Sequence, residues 1–287
     1  MVTTRFSRAF DALTTHLILA FFAILFVFPV AYALMTSFKS KGEVLTSPPT
    51  FFPSQWTTEG YQVLFFGTGG FQAPSLIPYQ IPNTFINAFL SSVLTVIIAS
   101  LASYTFSRYR FKGSRTLQLL ILGLIMIPGL TNLVPLFRIA SDLHLTSTHQ
   151  MIIAVYTAGG LPFSIWIIKS FFDAIPLELE EAAFIDGATP IQALRFVIVP
   201  LAMPGLVAAF LLMFVDTWNE FLAALVLLIS DQSKTATVGL YDFQSSFETA
   251  YHVWAAACIL IMVPVLVIFL LLRRTFFQAM LQGALKG

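Results

Sequence analysis

The sequence predicts an all-α integral membrane protein of six transmembrane helices, and three observations carry that prediction. Of its 287 residues, 57% are hydrophobic and only 10% charged, with a mean hydropathy of +0.85; a soluble domain carries about 25% charged residues. Apolar runs long enough to cross a ~30 Å hydrocarbon core recur six times. The lysines and arginines between those runs are distributed unevenly, as a membrane topology requires.

The spans are expected near residues 17–36, 84–106, 117–138, 150–170, 203–229 and 254–273. Arg5 and Arg8 ahead of an apolar run resemble a signal peptide. The run from Leu17 to Met35 is too long for a cleaved leader, however, and reads as a retained first helix. With the N-terminus in the cytoplasm, eleven of the fifteen basic residues fall inside: Arg5, Arg8, Arg108, Arg110, Lys112, Arg115, Lys169, Arg195, Arg273, Arg274 and Lys286. Lys39, Lys41, Arg138 and Lys234 fall outside. This bias puts both termini and the segment between helices four and five in the cytoplasm.

Two outer loops result. Residues 37–82 are rich in turn formers (Ser47-Pro48-Pro49, Phe52-Pro53, Gly67-Thr68-Gly69-Gly70, Pro74, Pro78, Pro82) and in aromatics (Phe51, Phe52, Trp56, Tyr61, Phe65, Phe66). A folded cap at the membrane surface is expected, with an interfacial aromatic belt as the competing reading. Residues 230–252 form a shorter polar outer loop.

The third span contains Pro128-Gly129, Asn132 and Pro135. Proline removes a backbone hydrogen bond and displaces the preceding carbonyl, so a kink or unwound turn is expected near mid-membrane. Such breaks often line a cavity. The fifth span holds Asp216, Trp218, Asn219 and Glu220 near its middle, with the two carboxylates four residues apart and so on one helical face. A carboxylate at the bilayer centre costs at least ~2.5 kcal/mol, so both should face the bundle interior or water. Binding of a polar substrate, proton relay and simple pairing with a neighbouring helix are the three uses open to them. The relay is weakest, because no other span offers an obvious second acid or histidine.

Between spans four and five, Pro176 to Pro200 reads PLELEEAAFIDGATPIQALRFVIVP, the most strongly polar-patterned stretch of the chain. Two short helices are expected. Pro176 suits the first helical position, and Glu178, Glu180 and Glu181 complement the positive end of the dipole. Gly187 should stop that helix. Thr189, Pro190 and Gln192 form a capping-box signature that starts the next, which Pro200 should end. A first helix of roughly 11 residues is about 16 Å long, too short to cross the bilayer, and must lie outside it.

Much chemistry is missing from the sequence. No G-x-x-x-x-G-K-[ST] occurs, so no nucleotide-binding loop is expected. His16, His144, His149 and His252 are scattered near predicted helix ends with no metal-ligand spacing, and no serine nucleophile elbow is present. The single cysteine, Cys258, lies in an apolar run and is expected to be a buried, inert thiol. The net charge of +1 argues against nucleic acid as a partner.

Several motifs occur together in order. Glu181-Ala182-Ala183, Gly187 after three further residues, and Pro200 resemble the cytoplasmic EAA loop of ABC-importer permeases, with Val197 and Val199 standing where that pattern has isoleucine and leucine. Ser107 to Gly113, Met126 to Gly129, Asp186 to Pro190, Trp218 to Leu222 and Gly283 to Gly287 extend the resemblance to the carbohydrate-uptake branch, its MalG-like subunit in particular.

The resemblance implies a single transmembrane permease domain over residues 1–287, with its EAA-type coupling loop at residues 171–200. Glu181, Ala182, Ala183, Asp186, Gly187 and Pro200 would then form the element that couples to an ATPase. It further implies a second, MalF-like permease subunit, two ATPase subunits carrying ATP and Mg, and an extracytoplasmic sugar-binding protein. The chain itself would bind no cofactor and catalyse no reaction. A sugar pathway, where this subunit contributes to one, would use Asn132, Trp218, Asn219 and Glu220, since aromatic faces and amide or carboxylate groups suit sugar rings and hydroxyls. An importer of glycerol phosphate or polyamine is the alternative. An ion-coupled secondary transporter is a more distant one, since it would need an inverted repeat and an ion site that the sequence does not display.

Overall fold

The computed structural model describes residues 5–66, 76–242 and 250–284, and among them every regular element is helical. Four helices are long and apolar enough to cross a membrane: Ala12–Ser37, Leu76–Arg108, His149–Phe172 and Tyr251–Leu281. Two further candidates are bent pairs, Ser114–Leu124 with Gly129–Asp142 at 89°, and Pro190–Leu201 with Met203–Asn219 at 79°. The chain divides into two compact units, Met1–Ser75 with Asp242–Met262, and Leu76–Tyr241 with Val263–Gly287.

In the first unit, α1 (Arg5–Ser37) exposes its apolar side chains from Leu17 to Phe28. That is the pattern of a helix whose solvent is lipid. The described part of the segment after it is folded, with its aromatics packed together. The Ser37 hydroxyl pairs with the Tyr61 hydroxyl at 2.8 Å, and Thr57 N–H donates to the Phe38 carbonyl at 2.9 Å. Phe38 packs against both Trp56 and Tyr61, while the Lys39 ammonium donates to the Thr50 carbonyl and lies over the Tyr32 ring. Helix α2 (Lys41–Val44) carries Glu43, whose Oε1 accepts from Ser54 N–H (2.6 Å), Ser54 Oγ (2.9 Å) and Thr50 Oγ1 (3.2 Å). Helix α3 (Glu59–Phe66) brings Gly60 so close to the His252 carbonyl that a Cβ there would sit 2.8 Å from its oxygen. The Gly67-Thr68-Gly69-Gly70 run and Pro74 lie outside the described residues.

In the second unit, α4 (Ile81–Arg108) inverts the pattern of a water-soluble helix. Its buried face is small and polar, with Asn83, Thr84, Asn87, Ser91, Ser92, Thr95 and Ser103 at three- and four-residue intervals. Its exposed face is Phe85, Ile86, Phe89, Leu90, Leu94, Ile97 and Leu101. Small residues let helix backbones approach closely, which drives association where hydrocarbon supplies no hydrophobic gradient. Ser103 donates to the Ile165 carbonyl (2.9 Å) and Thr95 to that of Thr157 (3.4 Å), tying α4 to α7 (His149–Phe172). Gly160 on α7 lies where a Cβ would collide with Met213 of α11 (Met203–Asn219).

The unwound turn expected in the third span is present: the chain divides into α5 (Ser114–Leu124), a 3-10 turn (Gly129–Asn132) and α6 (Leu133–Asp142), because Pro128 takes extended dihedrals between them. Other expectations change. The fifth span ends at Asn219 and resumes as α12 (Leu222–Leu227). Cys258, on α14 (Tyr251–Ala284), is exposed instead of buried; on a spanning helix an apolar neighbourhood marks the lipid face as readily as the core. His252 is buried, its Nε2 4.0 Å from a Glu59 carboxylate oxygen.

The Glu43 carboxyl is held below the ordinary glutamate range, first by the Ser54 N–H, then by the Ser54 and Thr50 hydroxyls and by Lys39. A depressed value means that the latch is present above the unfolded-state value of about 4.3 and is lost as pH falls through the lower, folded-state value. Limited proteolysis of residues 40–57 should therefore accelerate on acidification in the wild type. In Glu43→Gln it should be faster at neutral pH and lose that pH dependence.

Candidate functional site

Two regions of the second unit carry the residues singled out in the sequence. The first is the segment after α7. Helix α8 (Glu178–Ile185) is followed by a helical arm, α9 (Pro190–Ala193), a π turn (Leu194–Ile198) and α10 (Val199–Leu201). The stop between α8 and the arm is a Schellman motif: Gly187 has φ +85°, Ala188 N–H reaches the Ala183 carbonyl (2.9 Å), and Gly187 N–H that of Phe184 (3.0 Å). Asp186 is the C-cap. The capping box forms as its residues predict, with Gln192 N–H donating to Thr189 Oγ1 (3.4 Å) and Thr189 N–H to Gln192 Oε1 (2.7 Å).

Both flanking prolines act differently from expectation. Pro176 precedes the helix, which starts at Glu178 with Leu177 as its cap, because the chain just before it is pinned: Arg108 Nη2 donates to the Ile175 carbonyl at 3.3 Å. Pro200 does not end the arm. Having no N–H of its own, it is accommodated by the widened π turn, in which Val199 N–H reaches Leu194 O, and the helix continues to Leu201.

What fixes α8 is Glu180, which the sequence reading treated only as a charge near the helix start. It is 4% exposed and accepts from Arg108 Nε at 2.6 Å and from the Tyr104 hydroxyl, both at the end of α4. The arm is fixed by burial, with Leu194, Ile198 and Ala202 packed among Ala99, Tyr104, Ile168 and Phe172. The other side of the segment is open. Glu181, Ala182, Asp186, Gly187 and Pro200 are exposed and Ala183 half-buried, beside Phe184, Ile185 (86% exposed), Ile191 (74%) and Phe196. These aliphatics and acids together make an exposed, partly apolar face on a braced helix.

The second region is a cavity of 760 Å³ between the two broken helices. Gly129, Asn132 and Leu133 line it from the break after α5, Tyr156, Gly159 and Gly160 from α7, and Asp216, Thr217, Glu220 and Ala223 from α11 and α12. Glu220 makes the second break hold. It is the C-cap of α11, with ψ 130°; its Oε1 accepts from Ala223 N–H (2.7 Å), and its Oε2 from Ala224 N–H (3.1 Å) and the Tyr156 hydroxyl (2.7 Å). A carboxylate on the first free N–H groups of a half-helix satisfies donors that lipid would leave orphaned.

Of the four residues expected on a substrate pathway, Asn132 and Glu220 line the cavity and Trp218 and Asn219 do not. Trp218 is 1% exposed and packs at a tilt against Phe214 in the core, and the Asn219 amide donates back to the Val215 carbonyl. Helical spacing places these two on other faces of α11. Tyr156 and Thr217 were missed, because neither residue type is unusual within an apolar run.

The family "Binding-protein-dependent transport system inner membrane component" matches residues 91–282. The chain is 35% identical over 274 residues to the inner membrane ABC transporter permease protein YcjP of Escherichia coli, covering 94% of each chain. It is also 35% identical to the trehalose/maltose transport system permease protein MalG of Thermococcus litoralis, covering 92% of this chain and 93% of that one. Its fold is similar to a chain in the crystal structure of a bacterial ABC transporter involved in the import of the acidic polysaccharide alginate. That likeness has a TM-score of 0.79 at 23% identity and covers 96% and 99% of the two chains.

Removing one partner of a buried ion pair costs roughly 3–5 kcal/mol, because the other charge is left uncompensated. Glu180→Ala should therefore lower the unfolding midpoint of the detergent-solubilised protein substantially. Glu181→Ala, one residue on and exposed, should leave the midpoint within error of the wild type. Equal midpoints for the two variants would show that the Arg108 pair does not hold α8.

Proposed function

The chain belongs to the binding-protein-dependent transport system inner membrane components, and we propose that it is the transmembrane permease subunit of an ATP-driven importer that takes up a sugar. The observation that carries the substrate class is identity of about a third, over more than nine-tenths of the chain, to a trehalose/maltose permease. In this reading residues 1–287 form one transmembrane permease domain of six spans, each bent pair counting as one, in the cell's inner membrane. Both termini and residues 171–200 face the cytoplasm, in keeping with the bias of lysine and arginine.

The docking side of α8 and its arm is the coupling element. Glu181 supplies charge, Ala182 and Ala183 permit close approach, Asp186 and Gly187 make the turn, and Pro200 lies in the arm that leads back into the membrane. Two ATPase subunits, carrying ATP and Mg, would hydrolyse nucleotide beneath it; this chain would hydrolyse none. A second, MalF-like permease would complete the pore, and an extracytoplasmic sugar-binding protein would deliver cargo to the outer side. A lever transmits a stroke only if it is stiff at its base. The buried Glu180 pair and the Schellman turn support that role, since each fixes α8 to structure on one side of it. Solute would pass through the cavity at Asn132 and Glu220, with Trp218 and Asn219 behind its wall.

Purified with its neighbours from native membranes, the chain should bring down an ATPase and a second permease; recovery without any ATPase would sink the proposal. Gly187→Pro gives a sharper test, because proline's φ of about −65° is incompatible with +85°. Uptake should fall to background while membrane insertion and ATP hydrolysis persist, and normal uptake would refute the lever.

A further inference from the structure

The cavity between the broken helices has a charge character that its role as a pathway does not by itself require. Glu220 is fully committed, its oxygens taken by Ala223, Ala224 and Tyr156. Asp216, one turn earlier on the same wall, is exposed to the cavity, and among the described residues its carboxylate has no hydrogen-bond or ion-pair partner. Thr217 beside it also contributes to the lining, but its hydroxyl oxygen is buried and has no hydrogen-bond partner, so Asp216 is the carboxylate that meets the open space. No lysine, arginine or histidine is among the residues lining the cavity.

An unpartnered carboxylate on a wall without cations calls for a ligand that donates hydrogen bonds. Hydroxyl groups and ammonium groups do so, and ionised acids do not. We propose that the cavity is a charge-selective solute site, in which Asp216 receives the hydroxyls or amine of a neutral or amino saccharide and turns acidic saccharides away. This rests on the importer reading and adds the chemical class of the cargo to it.

The test uses the assembled permease–ATPase complex in detergent, without its binding protein, and three labelled trisaccharides of the same length: glucose, glucosamine and galacturonate trimers. Equilibrium binding should be measurable for the glucose and glucosamine trimers and at least about tenfold weaker for galacturonate, as expected for one repulsive charge in a partly desolvated site. Asp216→Asn keeps the side-chain volume and removes the charge. It should narrow the gap between glucose and galacturonate to less than about threefold and abolish any preference for glucosamine over glucose, with the thermal midpoint unchanged. Galacturonate binding as tightly as glucose in the wild type would overturn the proposal. So would an unchanged gap in Asp216→Asn, or no binding of any trimer. ATP-driven uptake into vesicles reconstituted with the same complex and supplied with its binding protein separates the two ideas: uptake with charge-blind binding sinks only the filter, whereas hydrolysis that drives no uptake sinks the importer reading beneath it.

Discussion

The buried contact of Glu180 with Arg108 and Tyr104 is the constraint on which the functional half of this protein depends. Its partners are separated by 72 and 76 residues and belong to different helices, so the contact is tertiary in the strict sense. Without it α8, eight residues long, would have little to hold it, because isolated helices of that length are not stable in water. With it, the end of the long helix α4 and the start of the short α8 become one body. The Arg108 hydrogen bond to the Ile175 carbonyl extends the same clamp to the chain that leads into α8.

That clamp needs a rigid α4 beneath it, which the small polar face of α4 provides. Serine and threonine hydroxyls there either bond back to their own helix, as Ser91 does to Asn87, or cross to α7, as Ser103 does to Ile165. Such bonds average only ~0.6 kcal/mol each in membranes, so close backbone packing, not any single bond, holds the pair together. Gly160 shows the same economy from the other side, since its missing side chain is the space that Met213 fills. The rigid part of the unit is thus built from residues that would look like loop formers in a soluble protein.

The cavity has the opposite construction, with two helices interrupted at facing positions. A break in a spanning helix exposes backbone groups that must find partners inside the protein. At the Glu220 break the partner is the residue's own carboxylate, so this group is structural first. Asp216, one turn away and without such duties, faces the cavity with its carboxylate uncommitted. Two acids of the same type on one wall therefore have different work, and the difference lies in which of them the backbone has claimed.

By itself the sequence determined the helical membrane class, the positions of the long spans, the break at Pro128, the Gly187 stop and the Thr189–Gln192 box. Each of these is a local matter of apolar length, a missing N–H, a positive φ or a cap, which neighbours in sequence decide. The tertiary structure decided that Glu180 and not Glu181 is buried, that Trp218 belongs to the core, that Glu220 caps a half-helix, and that Cys258 faces outward. Those outcomes depend on which helices lie beside one another. Hydropathy reports withdrawal from water, whether into lipid or into protein, and carries no record of which helices pair.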